Sequence, residues 1–60
     1  MNEPLMRFAS IAEAVAHYFD LGFRTVETAP FTRWMEDGTG RAIRVQHQSM
    51  LEVLVFEENV

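Results

Sequence analysis

A chain of 60 residues without Cys makes one small domain, and it has neither disulfides nor thiolate metal ligands to support it. Its composition, 48% hydrophobic and 23% charged, is that of a globular protein and not of a disordered one. A formal net charge of −4 opposes the attraction on which nucleic-acid binders depend, and no run approaches the roughly 20 apolar residues of a membrane-spanning helix.

The first residues, Met1-Asn2-Glu3-Pro4, lack the basic start and long apolar run of a secretory signal. They read as a loose end, and a soluble cytoplasmic protein is expected. All five basic residues are Arg. Coding bias in a GC-rich bacterial genome accounts for that; a choice of Arg for bidentate or stacking contacts is the functional alternative. Leu5-Met6-Arg7-Phe8 reads as a lead-in that tucks Leu5 or Phe8 under the following helix, in preference to a short extra strand.

Residues 10–21 carry the signals of a helix. Ser10 and Glu13 fit a capping box, in which the Ser oxygen accepts from the Glu13 backbone N–H. Ile11, Ala14, Val15, Tyr18 and Phe19 recur at helical spacing and form one apolar stripe. Gly22 stands where a left-handed C-terminal cap is needed, and Phe23 supplies the accompanying apolar contact.

Residues 24–36 read as one strand, interrupted at Ala29-Pro30 because Pro cannot donate to a ladder. Asp37-Gly38-Thr39-Gly40 is a hairpin turn, and residues 41–48 are a second strand. After a turn at Gln48-Ser49, Leu51-Glu52-Val53-Leu54-Val55-Phe56 forms the third strand, so apolar that both of its faces need cover. Glu57-Glu58-Asn59-Val60 is a polar tail. The expected fold is α+β: a single domain over residues 1–60, with an N-terminal helix on a three-stranded antiparallel meander, α-β-β-β.

An even-numbered loop at residues 37–40 sets Trp34 toward the helix with Ile43 and Val45. An odd one sets Phe31, Arg33 and Met35 there and implies a buried Arg33, so the even loop is preferred. In the last strand, either Leu51, Val53 and Val55 or Leu54 and Phe56 face the helix. The face left open then gathers Phe31, Met35, Arg33, Arg44, Leu54 and Phe56 as a candidate interaction surface. A meander also leaves its third strand at an edge, where natural sheets avoid a bare apolar strand. Pairing of two third strands, or stacking of two uncovered sheet faces, would relieve this by forming a homodimer. The alternative within one chain is cover by the N-terminal segment or by a tail ending at Val60.

Signals for chemistry are weak. Glu13, His17 and Asp20 share a helix face without a ligand from a second element, and His47 has no orienting partner in the sequence. The Asp37–Arg41 stretch resembles a phosphate loop, but a strand follows it where a helix N-terminus is required. No cofactor, metal or catalytic residue is assigned. The leading expectation is a non-enzymatic protein-interaction or regulatory module, acting on itself or on another protein. A weak single-stranded nucleic-acid binder using Arg33, Arg41, Arg44, Phe31 and Trp34 is the second reading. An enzyme or metal-dependent subunit with a site completed across a dimer interface is the third.

Overall fold

The computed structural model describes residues 3–58. Strand β1 (Met6–Phe8) leads into helix α1 (Ile11–Asp20), followed by β2 (Arg24–Ala29), β3 (Thr32–Glu36), β4 (Ala42–Ser49) and β5 (Glu52–Glu58). All neighbouring strands are antiparallel, and the sheet order is β1-β5-β4-β3-β2. The fold is therefore five strands and one helix, not a three-stranded meander behind an N-terminal helix. The helix lies between β1 and β2, the two edges of the sheet, and the chain crosses the sheet along it.

The helix begins and ends as its sequence dictates. Ser10 is extended, at φ −146° and ψ 158°, and its Oγ accepts from the Glu13 N–H at 3.1 Å. Such a cap contributes about 1 kcal/mol. At the other end Gly22 has φ 98°, the left-handed conformation that costs a residue with a Cβ most. The Gly22 N–H donates to the Phe19 carbonyl and the Phe23 N–H to the Tyr18 carbonyl, which together make a Schellman motif. Phe23 is buried with its ring edge-on to Tyr18, at 5.4 Å between centroids. Ala14 and Tyr18 are the buried centre of the stripe, Ile11 and Val15 its half-buried margins. Phe19 falls outside it, half exposed under the Arg24 guanidinium.

The sheet places Met35, Ile43, Val45, Val53 and Val55 beneath the helix, all fully buried. Here the loop parity departs from expectation. Asp37 and Arg41 close a three-residue loop, with the Gly40 N–H on the Asp37 carbonyl and Gly40 at φ 90°. This is the odd loop, a turn followed by a left-handed Gly. It pairs Met35 with Ile43 and Trp34 with Arg44. Met35, expected on the open face, is core, and Trp34, expected in the core, lies on the open face. The objection to this register was a buried Arg33. That cost is avoided because the Arg33 guanidinium donates to the Ala29 and Thr32 carbonyls at the sheet margin.

Two further corrections concern where strands begin and end. Residues 24–36 form a hairpin and not one strand, turning at Pro30-Phe31. Pro is suited to the first central position of a tight turn, but Phe31, at φ 64°, takes a place that normally calls for Gly or Asn. The last turn is at Met50-Leu51, two residues later than expected, and β4 carries a bulge between His47 and Ser49. Leu51 is therefore exposed in a turn and not part of the core.

The lead-in Leu5–Phe8 contains a strand. Met6, Arg7 and Phe8 pair with Val55, Leu54 and Val53, so the apolar β5 is an interior strand with no edge of its own to offer. This extra strand supplies the cover that the sequence suggested a second copy would provide. Glu57 and Glu58, expected in a polar tail, extend β5. Met1 and Asn2, expected in a loose end, and Asn59 and Val60, expected in the polar tail, lie outside the described residues.

Candidate interaction face

The helix covers one side of the sheet. On the other, the strand register lines side chains up in rows across the strands. One row runs Glu27, Trp34, Arg44, Phe56; the next runs Thr32, Gln46, Leu54, Arg7; a third joins Glu36, Ala42 and Glu58. Trp34, Leu54 and Phe56 are each half-buried by their neighbours, and no described element lies over them. The aromatic residues stand on either side of Arg44. Its guanidinium lies 4.9 Å from the Phe56 ring centroid, and its Nη1 donates to Glu58 at 2.8 Å. Arg44 Nε is buried without a partner. Arg7 is paired in the same way with Glu52.

A hollow of about 210 Å³ opens beside this row, lined by Val26, Glu27, Trp34, Met35, Glu36, Ala42 and Glu58. Its origin is local. Ala42 is the small residue between Glu36 and Glu58, and the bulge between Thr25 and Glu27 bends the edge strand next to Trp34. Arg24 is opposite Glu36 in register, but its guanidinium turns round the sheet edge. There it stacks on Phe19 at 3.9 Å and donates to the Phe19 and Phe23 carbonyls.

A second depression, about 310 Å³, lies at the end of the sheet where the two tight turns meet, lined by Phe31, His47, Gln48, Ser49 and Met50. Phe31, Met50 and Leu51 are largely exposed there. His47 Nε2 is 3.4 Å from the Met50 carbonyl, and its ring is 6.0 Å from Phe31. The opposite end of the sheet is polar. Asp37 Oδ1 accepts from the Thr39 hydroxyl and from the Thr39 and Arg41 N–H groups. The Thr39 hydroxyl bond is the main cause of an Asp37 pKa below the ordinary value. Arg41 grips Glu57 with two hydrogen bonds of 3.0 and 3.1 Å, which depress the Glu57 pKa. Burial raises that of the Tyr18 phenol nearby.

Of the six residues assigned to the candidate surface, Arg44, Leu54 and Phe56 come together on the open face. Phe31 stands apart at the turn, Arg33 faces the helix side, and Met35 is in the core. Trp34, Glu27, Glu36 and Glu58 were missed. Trp34 and Glu36 follow from the odd loop, whose signal was Gly40 as a third loop residue suited to positive φ; Glu27 depends on the bulge beside Thr25, and Glu58 on the register of β5 against β4. His17 packs against Phe8 and Tyr18, with ring centroids at 5.4 and 5.0 Å. No group of three or more His, Asp or Glu among the described residues is placed to share a metal ion. No described helix is long and apolar enough to cross a membrane. The chain matches no protein-family model, no curated protein and no solved structure.

Proposed function

We propose that this chain is a non-enzymatic protein-interaction module working through the uncovered face of its sheet. The observation that carries this reading is the row Trp34–Arg44–Phe56, with Leu54 beside it, on a face that no described element covers. Aromatic residues and Arg are the side chains that dominate protein interfaces. The sheet edges are less suited to the task. Strand β1 is three residues long, and β2 carries a bulge, two charged residues and a following Pro. Support for a protein partner over single-stranded nucleic acid comes from the ion pairs. Arg7 and Arg44 are held by Glu52 and Glu58, so the cations needed for phosphate are already neutralised.

Homodimer formation, expected from the sequence through a strand edge or a face, is one of two ways to cover this face, as two stacked open faces; another protein is the second. Trp34 is the sole Trp and reports on this face directly. Light scattering and Trp34 emission, followed together across a concentration series, test the reading. A mass of twice 6.9 kDa with blue-shifted emission, both abolished by Phe56→Glu, assigns the face to a second copy. A monomer whose Trp34 emission shifts only when another protein is added assigns it to a different partner. Association that Phe56→Glu and Leu54→Glu leave intact overturns the reading.

A further inference from the structure

Resting on that reading, we infer that the occupant of the open face is a basic protein segment, with an Arg or Lys side chain seated in the hollow beside Trp34. The argument is one of charge and shape. The face carries four carboxylates, Glu27, Glu36, Glu52 and Glu58, against two guanidiniums, Arg7 and Arg44. Both guanidiniums are committed to ion pairs, with Glu52 and Glu58. Glu27 and Glu36 form no ion pair among the described residues. The one Arg opposite Glu36, Arg24, is bonded to carbonyls at the helix end. The unbalanced negative charge of the face is therefore concentrated at the hollow, where Ala42 leaves room between Glu36 and Glu58 and Trp34 contributes an indole.

An acidic, aromatic hollow of this size attracts a cation at the end of an apolar stem. The carboxylates meet the charge, and the indole adds a cation–π contact that is strongest for Trp. A guanidinium gains more than an ammonium, because it also forms paired hydrogen bonds with a carboxylate and stacks on a ring. The same charge works against two copies of this face. Stacking them brings net negative surfaces together, whereas a basic segment meets complementary potential. The overall charge of −4 extends that attraction over the whole molecule.

The test uses the intact chain and three synthetic peptides of equal length, alternating Ser with Arg, Lys or Asp. Binding is read from Trp34 emission and from backbone amide NMR shifts. The expected result is saturable binding in the order Arg, then Lys, with none for Asp, and shifts centred on residues 26–36, 42 and 58. The double variant Glu27→Gln/Glu36→Gln, whose substitutions are exposed and conservative, is expected to bind the Arg peptide about tenfold more weakly while its far-ultraviolet circular dichroism is unchanged. Trp34→Phe, which keeps a ring, loses less than Trp34→Ala. Equal binding of the Arg and Asp peptides, unaltered affinity in the double variant, or no binding at low salt overturns the basic occupant. The two readings fail separately. If the peptides do not bind but the chain still dimerises through Phe56, the face stands and its occupant is a second copy. If Phe56→Glu and Leu54→Glu leave every association unchanged, the face itself is wrong.

Discussion

Leu54 and Phe56 alternate with Val53 and Val55 along one strand, yet the two pairs lead different lives. The valines are fully buried under α1; Leu54 and Phe56 stay partly open to solvent on the other side of the same sheet. Strand β3 repeats the contrast with Met35 in the core and Trp34 outside. On the covered side, small and branched side chains meet the helix at close quarters. On the open side, the apolar groups are large, flat and interleaved with charge. The difference teaches that hydrophobicity alone does not distinguish a core from an interface. What distinguishes them here is cover: α1 lies over the valines, and no described element lies over Leu54 and Phe56.

The sharpest way to break this comparison is to shorten Met35 and Trp34 in turn. Met35→Ala opens a cavity in the core and is expected to cost about 2–5 kcal/mol, against a total near 3–9 kcal/mol for a domain of this size. Trp34→Ala, which removes more atoms but from a half-open face, is expected to cost clearly less. Urea unfolding followed by circular dichroism measures both. A larger loss at Trp34 would mean that β3 turns its other side to the helix.

Next in size is Gly22→Ala, which forces a Cβ into φ 98° where the helix turns toward its buried Phe23 anchor. A loss of about 1 kcal/mol is expected in the same unfolding experiment, with no steric clash to add to it because the space around Gly22 is open. Leu54→Gln, one strand position away from two fully buried valines, is expected to change stability by less than about 1 kcal/mol while reducing binding to any occupant of the face. A core-like loss would show that the open side is covered within the monomer.

The smallest effect is electrostatic. The Arg41 guanidinium holds the exposed Glu57 carboxyl below its ordinary pKa. A carboxyl depressed by folding stabilises the folded chain fully above its unfolded pKa, and that contribution is lost as pH falls through the lower folded value. Stability should therefore decline as the solution is acidified below the ordinary Glu range. Glu57→Gln should flatten the Glu57 share of that decline and leave the slope near neutrality unaltered. A titration of the melting temperature in wild type and variant reads the difference. An unchanged acid slope would mean that the Arg41 pairing does not persist in solution.

The legible part of the fold is the part where local chemistry and tertiary structure agree. Ser10, the Ile11–Tyr18 stripe, Gly22 and Phe23 specify the helix and both its ends from within a few positions. The strands were less legible because their limits depend on turns that break the usual chemistry. Phe31 takes a left-handed position and Met50-Leu51 makes a turn from two apolar residues, so neither announces itself as a loop. Strand β1 has too few residues to show an alternation, and its apolar character is explained equally well by packing under a helix. At the candidate face, Arg44 follows from the alternation of its own strand, whereas Leu54 and Phe56 belong there under only one of the two registers that the sequence left open for the last strand. Met35 and Trp34 were exchanged by a single step of parity, which in a sheet moves every side chain of a strand to the other side.

The topology also bears on how the chain is made. The pairing of Met6 with Val55 joins the first strand to the last across nearly the whole described length. During synthesis β2, β3 and β4 can each meet a neighbour as it emerges, because every hairpin in that series is local. Strand β1 has no such neighbour and waits for β5, and a helix of ten residues cannot hold its shape in water without a floor to lie on. The core therefore closes late, after translation has passed the most apolar stretch of the sequence, in a step dominated by contacts distant in sequence. A chain that stops short of Glu52 lacks more than a strand: it loses the seat of β1 and, with Val53 and Val55, part of the floor on which the helix lies.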